Sequence, residues 1–327
     1  MASTTPTNVD TSIQDIWATR VLRSHVRNGF WGKFVGGPGS GMPIIQQSEL
    51  LNKPGDTLHI QVTNPLSGNG VSGDTAVLAG NEENFVTSEV LVVPALLRNG
   101  VRAFRRASKK SILDLREEAY MRLAEWGMDK CDNARFNNFV QTSAMNGQTY
   151  TPTFKYASTA VSTATIGAAM TLTVADIRKV RALLLNAKAK PFKAQGRDWF
   201  FMVVHPYAAL DLKNDATYNT AVQNAAPRSD MNPIFDGHVA CIDGVVIYES
   251  FNVPVIIGGV GGTVPIQKAL AFGQEAFVEG LDENVSWVED SFDYGNEWGV
   301  AYGFSHQPRR ALELSSLQFQ TAYNVVS

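Results

Sequence analysis

The chain has 327 residues, 44% of them hydrophobic, with a formal net charge of −3 and two cysteines. That length buries a large core and usually divides into more than one domain, and no 18-residue apolar run exists to form a membrane-spanning helix. The charge balance gives no overall pull toward nucleic acid, and Cys131 and Cys241 have neither metal-ligand spacing nor a disulfide framework, which fits a reducing cytoplasm.

The N-terminus, "MASTTPTNVDTS", lacks a positive start and an apolar stretch, so it reads as a disordered tip and not a secretory signal. Ile13, Ile16, Trp17, Val21 and Leu22 recur at helical spacing and predict a short helix over 10–27. "KFVGGPGSGMPI" (33–44) then packs Gly36, Gly37, Gly39 and Gly41 into six positions. A phosphate loop follows a buried strand, opens a helix and carries Gly-Lys-Ser/Thr. Here Lys33 precedes the glycines, and Pro43, Pro54 and Gly55 prevent a long helix afterwards. The run reads as a flexible joint.

"DTLHIQVTNPL" alternates Leu58, Ile60 and Val62 on one face, and "FVTSEVLVVPALL" is β-branched; together they predict a two-stranded excursion with a turn-rich tip. An isolated hairpin is marginal in water, so it must lie on something else. The ionised side chains from 54 to 97 are all acidic: Asp56, Asp74, Glu82, Glu83 and Glu89. Those from 98 to 110 are all basic: Arg98, Arg102, Arg105, Arg106, Lys109 and Lys110. Positive charge at a helix start is unfavourable to the helix dipole. The basic run is either a solvated turn or a surface for an anionic partner, which would be another subunit's hairpin or nucleic acid.

Residues 108–139 predict one very long helix. Ser111 and Asp114 resemble a capping box, and Ile112, Leu115, Ala119, Leu123 and Trp126 form an apolar stripe. Glu118 and Arg122 pair at i,i+4, and Gly127 is a site for a bend. A second helix runs from Thr173, its cap, to about Ala187. "DWFFMVV" (198–204) reads as a buried strand, and His205-Pro206 opens another helix. "DGVVIYESFNVPVII" supplies further strand, and the chain alternates as antiparallel sheet from Val285 on. The class is mixed α+β.

The chemistry of a catalytic site does not assemble. His25, His59, His205, His238 and His306 are scattered and none has a partner at metal spacing. His205, between strand and helix, reads as a cap or packing group, and Asp290, Asp293 and Glu297 as the solvated face of a strand. No nucleophile, base and orienting group come together, so neither enzyme nor cofactor is indicated.

The order of parts is informative: arm, long β-excursion, very long helix, αβ domain, terminal sheet. With "NKPGDTLHIQVTNPLSGNGVSGDTAVLAGNEENF", "RRASKKSILDLREEAYMRLAEW", "VVHPYAALDLKND", "NPIFDG" and "DGVVIYESFNVP", the chain resembles the Hong Kong 97 fold of tailed-phage major capsid proteins. More narrowly, it resembles the family typified by phage N-four. The resemblance spans most of residues 10–310. It implies an N-terminal arm (1–48), an extended loop (49–107), a peripheral domain on a spine helix (108–170), an axial domain (171–281) and a return to the peripheral domain (282–327).

It further implies a structural protein made in a host bacterial cytoplasm that assembles into pentamers and hexamers of an icosahedral head. That head encloses double-stranded DNA without sequence-specific binding, and separate scaffolding, portal and decoration proteins assist. Gly36, Gly37, Gly39 and Gly41 become a hinge tolerant of several subunit environments. Asp74, Glu82, Glu83 and Glu89 become contacts to Arg98, Arg102, Arg105 or Arg106 of a neighbour. The covalent lysine–asparagine mesh of the type member starts from an extended-loop lysine, and here no lysine occurs from 54 to 108. The other readings are an encapsulin-like compartment with protein cargo and an α+β hydrolase using His205 or the Asp290–Glu297 cluster.

Overall fold

The computed structural model describes residues 29–225 and 241–325, apart from 52–54, 64–65, 67, 75–76, 86, 112–113, 141–142, 146–147, 151–152 and 195. The expected helix over 10–27, together with His25, Ile112 and His238, lies outside the described residues. A 3-10 turn at Trp31–Phe34 buries Trp31 and Phe34. The glycine run then makes a tight turn between β1 (Val35–Gly36) and β2 (Ile44–Gln47), which pair in parallel. Gly39 and Gly41 sit at φ +76° and +69°, where other residues are strained. A strand, not a helix, follows the run, so its amides do not form a phosphate cradle.

β3 (Leu58–Thr63) and β4 (Thr87–Val92) form the expected antiparallel hairpin. β5 (Ala95–Phe104) is a ten-residue strand that begins inside the strand expected over 85–97 and continues through Arg98 and Arg102, read there as part of a basic lead-in to the helix. The single helix expected from 108 is instead two: α1 (Arg105–Lys110) and α2 (Leu115–Val140). Ser111 is extended and its N–H closes α1 on Ala107 O. Asp114, not Ser111, caps α2, its Oδ1 accepting from the N–H groups of Arg116 and Glu117 at 3.0 and 3.3 Å. The 26 residues of α2 extend about 39 Å at about 1.5 Å per residue.

β6 (Ser143–Met145) and β7 (Gln148–Tyr150) make a small hairpin before β8 (Thr153–Tyr156). α3 (Val174–Asn186) starts at a reciprocal Thr173–Asp176 capping box, as expected. β9 (Phe192–Ala194) and β10 (Arg197–Val204) lead to α4 (Pro206–Asn214), with proline in its first turn, and α5 (Ala216–Ala225). Then come β11 (Val245–Glu249), β12 (Val255–Gly258), β13 (Val264–Phe272), β14 (Phe277–Phe292), β15 (Glu297–Arg310) and β16 (Ser316–Ala322).

The strands form two main sheets. One has the order β11-β10-β13-β16-β8, with β12 on β13 and β9 on β10. Helices α3 and α4 close its core through Ile177, Val180, Leu184, Ala208 and Leu212 against Phe200, Met202, Val204 and Phe319. The other has the order β1-β2-β14-β15-β5, and α2 crosses it. Where the two meet, Trp31, Phe34, Phe136, Phe139, Phe272 and Phe277 form an aromatic core. β8 and β16 are neighbours in the first sheet, and β14 starts at Phe277.

Candidate functional site

The five-stranded sheet has two unlike faces. On one, Leu123 of α2 packs on Val300, Tyr302 and Phe304, with half-buried Tyr120 and Trp126 around them. Gly127 permits close approach of helix and sheet: a Cβ there would lie 2.8 Å from the Cζ and hydroxyl oxygen of Tyr302. Arg116 donates to Glu289 Oε2 at 2.6 Å, tying the start of α2 to β14.

The opposite face is only half covered. At the Val278 end, Leu58, Val90 and Val92 of the hairpin pack with Leu50 and Val278. Gly280 is required there, since a Cβ would come within 2.8 Å of Val92 Cγ1. At the far end, Val288, Phe292, Gly100, Arg102, Gly299 and Ala301 line an open groove of about 300 Å3. Val288 and Phe292 are exposed there. Arg98 flanks Gly303 on this face. Arg102 forms an ion pair with Glu297, and its guanidinium carbon lies 4.1 Å from the Phe292 ring centre.

Beyond its base the hairpin leaves its core. Leu66, Val77, Leu78 and Phe85 are 60–67% exposed, without cover from the described residues. Glu83 accepts from Gly68 N–H and Glu82 from Gly80 N–H, each at 2.6 Å, and Glu89 pairs with His59. Glu82 and Glu83 organise the tip, Glu89 bridges β4 to β3 below it, and Asp74 is exposed in a turn. The predicted acids therefore share one projecting loop. The predicted arginines separate: Arg98 and Arg102 lie on the half-covered sheet face, Arg105 and Arg106 on α1.

The enzyme candidates do not converge. His205 caps α4, its Nδ1 accepting from Tyr207 N–H at 3.4 Å, and stacks on Tyr323. Asp290 is exposed, Asp293 lies in a turn, and Glu297 is taken by Arg102. Among the described residues no group of three His, Cys, Asp or Glu side chains is placed to hold a metal.

A buried ionic cluster at the foot of α2 has no signature in the sequence. Asp132 accepts from the N–H groups of Phe30 and Trp31. Arg135 donates to both oxygens of Glu279 at 3.1 and 3.0 Å and lies 3.6 Å from Asp132. His306 Nε2 is 3.7 Å from Glu279, and burial lowers its pKa while Glu279 opposes that shift. Burial also raises the Asp132 carboxyl, which its two backbone hydrogen bonds oppose. Arg310 donates to Phe139 O at 2.7 Å through Nε, satisfying a carbonyl in the last turn of α2. The partners lie 102 and 144 residues apart, so no local pattern announces them.

A family model described as phage capsid protein matches residues 5–167 and 150–306. The major capsid protein of Pseudomonas phage KPP25 is 26% identical over 325 residues, covering 88% of this chain and 86% of that protein. The capsid of Ralstonia phage GP4 superposes with a TM-score of 0.78 at 22% identity, covering 100% of each chain. The capsid asymmetric unit of cyanophage Pam1 gives 0.82 at 18% identity, covering 99% of each.

Proposed function

The chain belongs to the phage capsid protein family, and from that premise we propose that, as a major capsid protein with the Hong Kong 97-like fold, it builds an icosahedral head by laying its hairpin on the next subunit. The single observation that carries this reading is the pairing of a projecting loop with an uncovered sheet half in one chain. Leu66, Val77, Leu78 and Phe85 need a cover, and the groove at Val288 and Phe292 lacks one. A surface that receives a different surface of an identical copy is heterologous, and such contacts form a ring where the rotation between copies closes. On this reading Asp74, Glu82, Glu83 and Glu89 meet the neighbour's Arg98 and Arg102, which flank the groove. Each exposed pair contributes about 0–1 kcal/mol, so the charges select partner and register while apolar cover supplies affinity.

Rings of five and six close the head around double-stranded DNA, with scaffolding, portal and decoration proteins supplied separately and synthesis in the host cytoplasm. The chain divides into arm, extended loop, peripheral and axial domains, and the Gly36–Gly41 turn adjusts between the two ring environments. Against the hydrolase reading, the matching family is that of phage capsid proteins, and His205 and Glu297 are engaged in packing and ion pairing. Electron microscopy of particles from the Glu82→Lys, Glu83→Lys variant tests the contact. Yield should collapse while circular dichroism stays unchanged, and adding Arg98→Glu should restore part of it. Normal yield from the double variant would remove the proposed contact.

A further inference from the structure

α1 has six residues, RRASKK, and none is buried. Arg105, Arg106, Lys109 and Lys110 are all exposed, and the helix contains no acid. Arg105 and Lys109, and Arg106 and Lys110, are like-charge i,i+4 pairs, each of which destabilises a helix. Phe104 provides no side-chain cap, and cations in the first turn oppose the dipole. Among the described residues nothing offsets these costs through the four charges. The helix is held instead by the Arg105 N–H to Asn296 O at 2.8 Å and by the Trp298 indole N–H to Ser108 Oγ at 2.9 Å.

That second bond sets the side. Trp298 belongs to the cluster that faces α2, so α1 is drawn toward the face opposite the hairpin base. In a shell one subunit thick, the two faces of this sheet meet different surroundings. The contact face takes the neighbour's hairpin; the α2 face does not. Arg106 and Lys110 share, with Phe104, Ala107 and Asn296, a groove of about 420 Å3.

We propose that α1 is a sequence-independent site for the phosphate backbone of nucleic acid, its four cations each meeting a phosphate. This inference rests on the reading of the chain as a shell around DNA and adds to it the surface that touches the contents. Four long flexible cations with no buried anchor suit a polyanion, whose affinity comes from counterion release, better than a packed protein partner, which needs desolvated anchors.

The test uses the unassembled full-length chain, a fluorescent mixed-sequence DNA duplex of about 30 base pairs, and anisotropy across about 50–200 mM salt. Each phosphate contact contributes about 0.9 to the slope of log affinity against log salt. The variant Arg105→Gln, Arg106→Gln, Lys109→Gln, Lys110→Gln should therefore lose about 3–4 units of slope, with equal loss on a scrambled duplex. Should that variant unfold, Lys109→Gln with Lys110→Gln should lose about half as much. An unchanged slope overturns the proposal. So does a variant that binds DNA normally and no longer forms particles, because α1 would then meet the acidic hairpin of a copy. Particle formation by the parent chain is scored in parallel, so failure of the shell reading registers separately from failure of the DNA site.

Discussion

Gly127→Ala places one methyl group between α2 and its sheet. The new Cβ would lie 2.8 Å from the Cζ and hydroxyl oxygen of Tyr302, against 3.4 Å or more for ordinary contact. Tyr302 cannot swing away easily. Its ring centre is 4.8 Å from Trp287, 5.7 Å from Phe304 and 6.4 Å from Trp126. Alanine gains about 1 kcal/mol over glycine in helix propensity, while overpacking a filled core costs about 1–3 kcal/mol. With the ring clamped on three sides the cost falls at the upper end, leaving a net loss of about 2 kcal/mol. At the average unfolding entropy per residue, that lowers the melting temperature of this chain by about 3 °C. Thermal melting of the unassembled subunit by circular dichroism measures it. Adding Tyr302→Leu should show favourable coupling in a double-mutant cycle. A melting temperature unchanged or raised by Gly127→Ala would refute the close approach.

Burial pushes the Cys131 thiol up to about 11, so at pH 8 a thiol-exchange reagent should label exposed Cys241 first and Cys131 far more slowly; equal rates would contradict the packing of α2. The folded state holds the His306 proton less tightly than the unfolded chain, because burial lowers its pKa. Its contribution to stability is full above about pH 6.5 and declines as pH falls below that value. His306→Gln should flatten melting temperature against pH in that range, and a slope equal to the parent's would exclude His306 as its source. Particles boiled in reductant should run as monomer on a denaturing gel, since the extended loop has no lysine from 54 to 108; a surviving high-mass ladder would show a covalent mesh.

Elements with a strong local period or a defined cap were legible in the sequence. The alternation of Leu58, Ile60 and Val62 marks β3, the Thr173–Asp176 box marks α3, and Val204-His205-Pro206 marks the passage from β10 to α4. β5 was hidden because its arginines drew the eye to charge, although "ALLRNGVRAF" pairs along its whole length with β15. The break before α2 was hidden because both Ser111 and Asp114 suit a cap, and only backbone geometry shows which one serves. The acidic loop was legible as a loop. Its far arginines were not separable, because a strand places Arg98 and Arg102 on one face and then hands Arg105 and Arg106 to a helix. The Asp132–Arg135–Glu279–His306 cluster was out of reach, as its members come from elements distant in sequence that only the fold brings together.

The central claim is that this chain closes on copies of itself to form a shell. Sedimentation velocity of the purified full-length protein, with negative-stain microscopy of the fast fraction, tests it most directly. Rings of five and six copies are expected, together with closed round particles. A single slow species at the mass of one chain, 35.6 kDa, at every concentration and salt condition would contradict it.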